Sequence, residues 1–233
     1  MANQEPKILI ASNHPLKKRL LKLLFQDLGV KIISPKDIGI ADEPQAVSLS
    51  TRENALIKAR FFCAKSGLLT IADDLSLKID ALGGAPGVFV RRWGGHFNRL
   101  IDDEAWLKHL LKKMYNVPYN ERTAHWEVSW ALVRPDGLEK THTFTTKFLI
   151  TEVPRQNYPP GMPLAAVRWN LEKHKHFLDM SEEERWAAQI REIKNWNIKK
   201  HIREYYGLSV PAPENSQVDP QKQKSDGRSD NSG

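Results

Sequence analysis

The sequence contains one cysteine, Cys63, among 233 residues. A disulfide within the chain is therefore excluded, and the apolar helical spacing around Cys63 predicts a buried, unreactive thiol. The sequence also lacks any apolar run of about 18 residues, the length that a membrane-spanning helix needs. Residues 1–7 are polar and lack the apolar core of a signal peptide. Together these absences predict a cytosolic protein that does not bind membranes.

Metal-binding spacings are also lacking among the eight histidines. His174 and His176 lie two residues apart between lysines, so a zinc site is not expected there. No DNA- or RNA-reading motif is present either. The net charge of +7 would nevertheless attract the phosphates of nucleic acids, membranes or nucleotides. Composition does not choose between these partners and a simple role of the charge in solubility.

The composition separates a folded part from a polar end. Apolar residues make up 40% of the chain and charged residues 27%, which is typical of a globular protein. Residues 211–233 have almost nothing to bury and consist mainly of Pro, Ser, Asp, Asn, Gln and Lys. We therefore predict one folded domain over residues 1–208 and a disordered polar tail over residues 209–233.

Hydrophobic periodicity predicts alternating strands and helices, followed by a hairpin. The predicted elements are a strand over 7–11, a helix from Pro15 to Gly29, a strand over 31–34, a loop over 42–49, a helix over 50–65, a strand over 69–72, a glycine-proline turn over 83–87, a helix over 102–114, a hairpin of 124–133 and 141–150, a loop over 157–161 and a last helix over 181–206. This order predicts an α/β fold with a mixed β-sheet.

The turn between the first strand and the first helix is a candidate phosphate site. It combines Ser12, Asn13, His14 and Lys17 with the free backbone N–H groups of a helix N-terminus. An ordinary helix cap with surface lysines explains the same residues.

Two adjacent acids, Asp73 and Asp74, follow the predicted strand over 69–72. Carboxylates at a buried strand end need a cation or hydrogen bonds, and Mg²⁺ prefers such oxygen ligands. A pair of solvated loop acids is the alternative. Glu53 and Lys58 belong to the predicted helix over 50–65 and are also candidates for this site. The alternative is that Glu53 only caps the helix and Lys58 is a solvated lysine.

The order of these candidate groups along the chain favours chemistry on phosphates. All these groups lie at strand ends, where open α/β sheets bind ligands. Positive charge and a metal neutralise phosphates, while a carboxylate aligns or deprotonates the attacking water.

Three segments of the sequence resemble the inosine triphosphate pyrophosphatase family. Residues 52–60 (RENALIKAR) are similar to the family's ENA…KA helix, and residues 71–74 (IADD) to its ADD segment. Residues 80–89 (DALGGAPGVF) match its D-A-L-G-G-A-P-G-V-Y segment, which is long and specific. Weaker similarity covers residues 8–202.

The resemblance implies a Mg²⁺-dependent hydrolase that converts a nucleoside triphosphate to the monophosphate and pyrophosphate. It also implies an elongated mixed sheet flanked by helices, two lobes with a central cleft, and a homodimer. Asp74 would be the general base and a metal ligand, with Asp73 beside it. Glu43 is the candidate loop ligand, although Gln45 competes for that place, and Glu53 is a further candidate. Lys17 and Lys58 would be catalytic residues at the phosphates, and the residues implied to contact the substrate are Ser12, Asn13, His14, Lys17, Arg185 and Arg191.

The departures from the family fall mainly on the part that reads the base. The Ser-Gly after the family's aspartate pair is Leu75-Ser76 here, and an asparagine of its first turn is His14. Its G-F-G-Y-D-P loop corresponds to residues 159–164 (PPGMPL), without the aromatic rings and the aspartate. Its S-H-R triplet is residues 189–191 (QIR), and Arg185 replaces a lysine.

We therefore expect an active pyrophosphatase with a changed or relaxed base preference. Residues that could stack on a base, although each also suits the core, are Trp93, Trp126, Tyr158 and Trp169. One alternative is an inactive relative that binds nucleotides. Another, less favoured, is a nucleic-acid-binding protein, suggested by the basic clusters 17–19, 91–92 and 199–201.

Overall fold

The computed structural model describes residues 5–93, 96–97 and 102–209. Its strands are β1 (Lys7–Ile10), β2 (Lys31–Ile33), β3 (Thr70–Ile79), β4 (Pro86–Gly87), β5 (Thr123–Val133), β6 (Glu139–Ile150), β7 (Arg168–Asn170) and β8 (Lys175–His176). Its α-helices are α1 (Pro15–Leu24), α2 (Thr51–Ser66), α3 (Asp103–Lys113), α4 (Glu182–Asn195) and α5 (Ile198–Tyr206). The predicted elements are therefore present in the predicted order.

The strands form one mixed sheet in the order β2-β1-β3-β5-β6-β7-β8, and β4 pairs with β3. β1 is parallel to both β2 and β3, whereas the long β3, β5 and β6 ladders are antiparallel. The α/β fold with a mixed sheet is confirmed. Because β1 lies between β2 and β3, the chain crosses to one side of β1 and then to the other, which creates a topological switch point at the carboxyl end of β1.

The first two helices cover opposite faces of the sheet. Leu20 and Leu21 of α1 pack with Ile71 of β3, whereas Ala55 and Ala59 of α2 pack in a separate cluster with the neighbouring Ala72. Successive side chains of a strand point to opposite faces, so this difference places α1 and α2 on the two faces. The carboxyl end of β1 is therefore open to side chains from both helices.

Two larger cores lie along the sheet. One joins α1, β1 and the paired ends of β3 and β5 to α4 and α5. The other joins the far half of β3 to α3 and to the segment Pro163–Val167. Trp126 of β5 packs against both cores. These two cores correspond to the two lobes that the resemblance implies.

Two details of the predicted elements are wrong. Asp73 and Asp74 do not end a strand, because β3 continues to Ile79 in an unbroken antiparallel ladder with β5. The predicted last helix is two helices, because Asn197 adopts a left-handed conformation with φ of 56°. An α-helix cannot continue through such a residue, so α5 starts in a new direction.

Other expectations concern burial and the chain ends. The thiol of Cys63 is buried, as predicted. Within the described ranges, none of the helices combines the length and apolar character needed to cross a bilayer. Almost the entire predicted polar tail, residues 210–233, lies outside the described residues.

Candidate active site

The carboxyl end of β1 adjoins an open stretch of β3. β1 pairs with β3 only at Thr70 and Ile71, and β4 pairs with the same edge only at Leu77 and Lys78. Between these pairs, Asp73 and Asp74 are bonded to β5 on one side and have no described strand on the other. A ligand above β1 can therefore approach the backbone of β3 beside these two acids.

Lys17 of α1 holds Asp73 on one face of the sheet. Its Nζ donates to both carboxylate oxygens of Asp73, each at 2.8 Å. The Asp73 side chain is 5% exposed, whereas that of Lys17 is 30% exposed. The buried carboxylate therefore keeps a charged partner, and the lysine remains accessible from the cleft.

Lys58 and Asn54 of α2 hold Asp74 on the opposite face. Lys58 Nζ forms an ion pair with Asp74 Oδ1 and donates to the backbone oxygen of Asp73 at 3.2 Å. Asn54 Nδ2 donates to Asp74 Oδ2 at 3.1 Å. The same amide binds the backbone N–H and oxygen of Ser48. Asn54 thus fixes the Asp42–Ser48 loop next to the acid pair, a role that the sequence analysis did not assign.

A polar cavity of about 500 Å³ opens at this place. The structure brings together in its lining most of the predicted phosphate and metal residues, namely Ser12, Asn13, Lys17, Glu43, Lys58 and Asp73. Gln45, the alternative to Glu43, lines it as well. Arg92 also lines the cavity and was not predicted as a phosphate-binding residue, since the pair at 91–92 was interpreted only as a basic cluster that could bind nucleic acid. The cavity therefore combines four cationic or hydroxyl groups with carboxylates.

The predicted metal ligands are present but not preassembled. Within residues 5–93, 96–97 and 102–209, no three His, Cys, Asp or Glu side chains are close enough together to hold a metal ion. The strand alternation explains this, because it directs Asp73 and Asp74 to opposite faces and each is occupied by a lysine. Mg²⁺ nevertheless often takes only one or two carboxylates together with substrate phosphates and water. The donor set thus fits a metal that arrives with a nucleotide.

Five predicted site residues do not line the polar cavity, and one of them is Asp74, which Lys58 and Asn54 hold on the α2 face of the sheet. Glu53 forms an ion pair with Arg60, with Oε1 at 3.2 Å from the guanidinium, on the exposed side of α2. His14 follows the lining residues, and its backbone N–H donates to Ser12 Oγ at 3.1 Å. Arg185 donates to the backbone oxygens of residues 177 and 178, and Arg191 contacts Glu172. The structure therefore does not bring Glu53, Arg185 and Arg191 to the acid pair.

A second, apolar cavity of about 300 Å³ lies further along β3. Leu75 lines it, and Leu75 is on the same face of β3 as Asp73, two residues and about 7 Å further along the strand. Arg91 lines the apolar cavity, and its neighbour Arg92 lines the polar one. A ligand with an anionic end and a flat apolar end can therefore extend from one cavity into the other.

The walls of the apolar cavity come from both lobes. Trp126 is the only one of the four stacking candidates that lines it, together with Met162 and Leu164 from the loop that replaces the family's base-handling loop. Trp93 instead packs against Trp106, and Trp169 pairs with His176 in the sheet. The position of this cavity was not predicted, because its walls are separated by up to a hundred residues in sequence.

His176 supports one wall of the apolar cavity. Its Nδ1 accepts from the N–H of Leu178 at 3.2 Å and its Nε2 lies 3.2 Å from the oxygen of Ala166, an arrangement that suits the neutral ring. Burial lowers the pKa of the His176 imidazole below its usual range. Protonation would add charge to a buried ring and remove the acceptor for Leu178.

We expect this histidine to make the fold less stable at acidic pH. The unfolded chain binds a proton on His176 below about pH 6.5, whereas the folded chain resists it, so the stabilisation is present above that pH and declines below it. Urea unfolding at pH 7.5 and pH 5.5 should show a smaller loss of stability in His176→Asn, whose amide oxygen replaces Nδ1 as acceptor. An equal loss in both proteins would contradict this assignment.

Comparisons with known proteins agree with this geometry. The Ham1 family profile matches residues 8–193. The chain belongs to the Ham1 family. A dITP/XTP pyrophosphatase of Thermoanaerobacter pseudethanolicus is 34% identical over 199 residues, which cover 83% of this chain and 98% of that protein. Another dITP/XTP pyrophosphatase, from Thermoanaerobacter sp. strain X514, is 39% identical with the same coverage.

Solved structures of Ham1 proteins share the fold. A dITP/XTP pyrophosphatase of Mycobacterium abscessus superposes with a TM-score of 0.65 at 30% identity, covering 82% of this chain and 98% of that one. The HAM1 protein of Coxiella burnetii has a TM-score of 0.72 at 22% identity, covering 84% and 99%, which supports the fold alone. The resemblance deduced from residues 52–60, 71–74 and 80–89 is therefore confirmed.

Proposed function

We propose that this Ham1 protein is a Mg²⁺-dependent nucleoside triphosphate pyrophosphohydrolase with an altered base preference. The main observation is that two cavities lie along β3, one lined by lysines and carboxylates at the switch point and the other apolar. Family membership supports hydrolysis of a nucleoside triphosphate to the monophosphate and pyrophosphate. In this assignment the polar cavity binds the triphosphate and the apolar cavity binds the base.

Lys17 and Lys58 have a double role in this proposal. Without substrate they neutralise Asp73 and Asp74, which prevents two adjacent carboxylates from repelling each other. When a triphosphate enters, the flexible lysine chains turn to the phosphate oxygens, and the carboxylates become available to the metal. Ser12 and Asn13, in the turn before α1, add donors beside a helix N-terminus. Arg92 adds a further cation.

Asp73, Asp74 and Glu43 are the residues that would hold Mg²⁺. The ion would neutralise phosphate charge that accumulates as the bond breaks. Asp74 is the proposed general base, since its side chain is 16% exposed, compared with 5% for Asp73, and is therefore more accessible to water. The proton of the attacking water passes to Asp74, the water oxygen bonds to phosphorus, and the bond between the α- and β-phosphates breaks to release pyrophosphate.

The apolar cavity supports an altered base preference. Among the residues that the structure describes, its wall contains Leu75, Met162 and Leu164 and offers two arginines as charged groups, without a carboxylate. An apolar wall discriminates weakly between flat bases of different ring size, because both kinds of ring make similar apolar contacts. We therefore expect the enzyme to accept keto pyrimidines as well as keto purines.

A panel of nucleoside triphosphates tests the proposal. With Mg²⁺ we expect pyrophosphate rather than inorganic phosphate, with kcat/KM for UTP within about tenfold of that for ITP. Chelation by EDTA should abolish turnover, and added Mg²⁺ should restore it. Strong preference for ITP, XTP and GTP would refute only the altered preference. Metal-dependent nucleotide binding without release of pyrophosphate would instead identify an inactive relative.

We also infer a cytoplasmic homodimer, on the basis of the family resemblance and the single buried cysteine. Light scattering coupled to gel filtration should give about twice the chain mass. A monomer that retains full activity would remove the dimer from the proposal.

A further inference from the structure

Arg168 occupies an unusual position for an arginine. It is the first residue of β7 and lines the apolar cavity, where its guanidinium lies over the rings of Phe177 and Phe148, 4.6 Å and 5.0 Å from their centroids. Aromatic faces attract cations, so the two phenylalanines hold the planar group in place. The cation is thus held against the wall of the cavity by two aromatic faces.

One donor of this guanidinium has no acceptor. Its Nε is buried without a hydrogen-bond partner, and no carboxylate among the described residues forms an ion pair with it. Burial lowers the pKa of Arg168 to about 10, so the group stays cationic at neutral pH. By contrast, Arg91 in the same cavity pairs with Asp103 at 2.8 Å. A buried donor without an acceptor destabilises a fold unless a ligand supplies the acceptor.

We propose that Arg168 determines base specificity by donating hydrogen bonds to a keto oxygen of the base. The inference rests on the proposed function, because it requires the apolar cavity to hold the base of a nucleotide whose phosphates are in the polar cavity. A guanidinium has only donors and matches a keto oxygen, alone or with an adjacent ring nitrogen. An exocyclic amino group at the same place would put donor against donor.

This assignment gives a family member without the base-handling loop another source of base selectivity. The loop over residues 159–164 supplies apolar contacts from Met162 and Leu164, and the directional contact comes instead from β7. The selected class is then keto bases over amino bases, irrespective of ring size. Hypoxanthine and uracil belong to the first class, adenine and cytosine to the second.

Two pairs of substrates isolate the contact. ITP and ATP differ mainly by a keto or amino group on the purine ring, and UTP and CTP by the same exchange on the pyrimidine ring. We expect the native protein to favour the keto member in both pairs, and Arg168→Met to reduce each kcat/KM ratio by roughly 10- to 100-fold. Arg168→Lys should retain part of the ratio. Arg155→Met, an arginine paired with Asp179 outside the cavity, is the matched control and should leave both ratios unchanged.

Two further readouts separate recognition from structure. Ribose 5-triphosphate lacks a base, so its turnover should be the same in the native protein and in Arg168→Met. The melting temperature of Arg168→Met should be unchanged or higher, because the variant removes a buried donor that has no acceptor. Unchanged keto-to-amino ratios, or a variant that loses ribose 5-triphosphate turnover and melts earlier, would overturn the proposal.

The experiment also distinguishes this inference from failure of the proposed function. If the native protein released no pyrophosphate from any nucleotide, the hydrolase proposal would fail. Calorimetric binding of the α,β-methylene analogues of ITP and ATP would then test Arg168 directly. A keto preference in binding that disappears in Arg168→Met would support the residue's role, and equal affinities in the native protein would exclude it.

Discussion

Replacing Asp74 with asparagine is expected to lower the rate of pyrophosphate release by about 10²- to 10⁴-fold, the range typical of losing a general base. The amide has nearly the same shape and retains an oxygen that Asn54 or Lys58 can contact. It carries no charge, accepts no proton at neutral pH and is a poor ligand for Mg²⁺. We therefore expect folding to be unchanged and turnover to collapse.

Two companion variants make the result specific. Asp73→Asn tests the other acid, which lines the polar cavity and pairs with Lys17. Glu139→Gln removes an ion-paired carboxylate on the α2 side, outside both cavities, and should retain native turnover. Steady-state kinetics with ITP and a melting curve suffice for all three. Near-native turnover in Asp74→Asn together with inactive Asp73→Asn would transfer the role of base to Asp73.

The sequence predicted the acid pair but not its geometry. Adjacent acids after an apolar run looked like a strand end, since isolated charges are unfavourable inside a sheet. The structure continues β3 because its partner β5 is long and because each acid has a lysine from a different helix. Neither the ladder nor the helix positions can be deduced from the local pattern. The separation of Asp73 and Asp74 onto opposite faces therefore follows from the tertiary structure.

Leu75 is a departure from the family's sequence whose position in a cavity is evident only in the folded structure. From the sequence alone it marked the loss of a hydroxyl beside the acids. In the fold, Leu75 forms the wall of the apolar cavity two residues from Asp73. Arg168 could not be identified from sequence, because a single arginine in a short strand has no periodic signal. The positions of Leu75 and Arg168 in one cavity depend on how the two lobes pack together, and Trp126 packs against the cores of both.

Long, strongly patterned segments were predicted well, and the ends of the chain less well. The α2 helix has a serine cap and a left-handed glycine after it, and both signals were legible in the sequence. The break between α4 and α5 depends on Asn197 in a left-handed conformation, which a helical hydrophobic pattern does not reveal. Arg191 precedes the break, and its contact with Glu172 follows from how α4 packs on the sheet.

Replacing Arg122 with methionine is expected to destabilise the protein by roughly 3–5 kcal/mol, because charged hydrogen bonds would be lost and buried acceptors left unsatisfied. Arg122 is 2% exposed. Its guanidinium donates to the backbone oxygens of Met114 at 2.7 Å, Val117 at 3.3 Å, Ile150 at 2.9 Å and Thr151 at 3.5 Å. It therefore links the end of α3 to the end of β6.

Methionine fills much of the same space, so the expected loss comes from the unsatisfied backbone oxygens and not from a cavity. Urea unfolding should show a lower midpoint with an unchanged slope. Arg60→Met, which removes an exposed arginine paired with Glu53 and Glu139, should lose no more than about 1 kcal/mol. Equal losses in the two variants would show that the buried guanidinium adds no more than a surface ion pair. A much larger loss for Arg122→Met would identify this residue as the connection that holds α3, and with it the Trp106 wall of the apolar cavity, against the sheet.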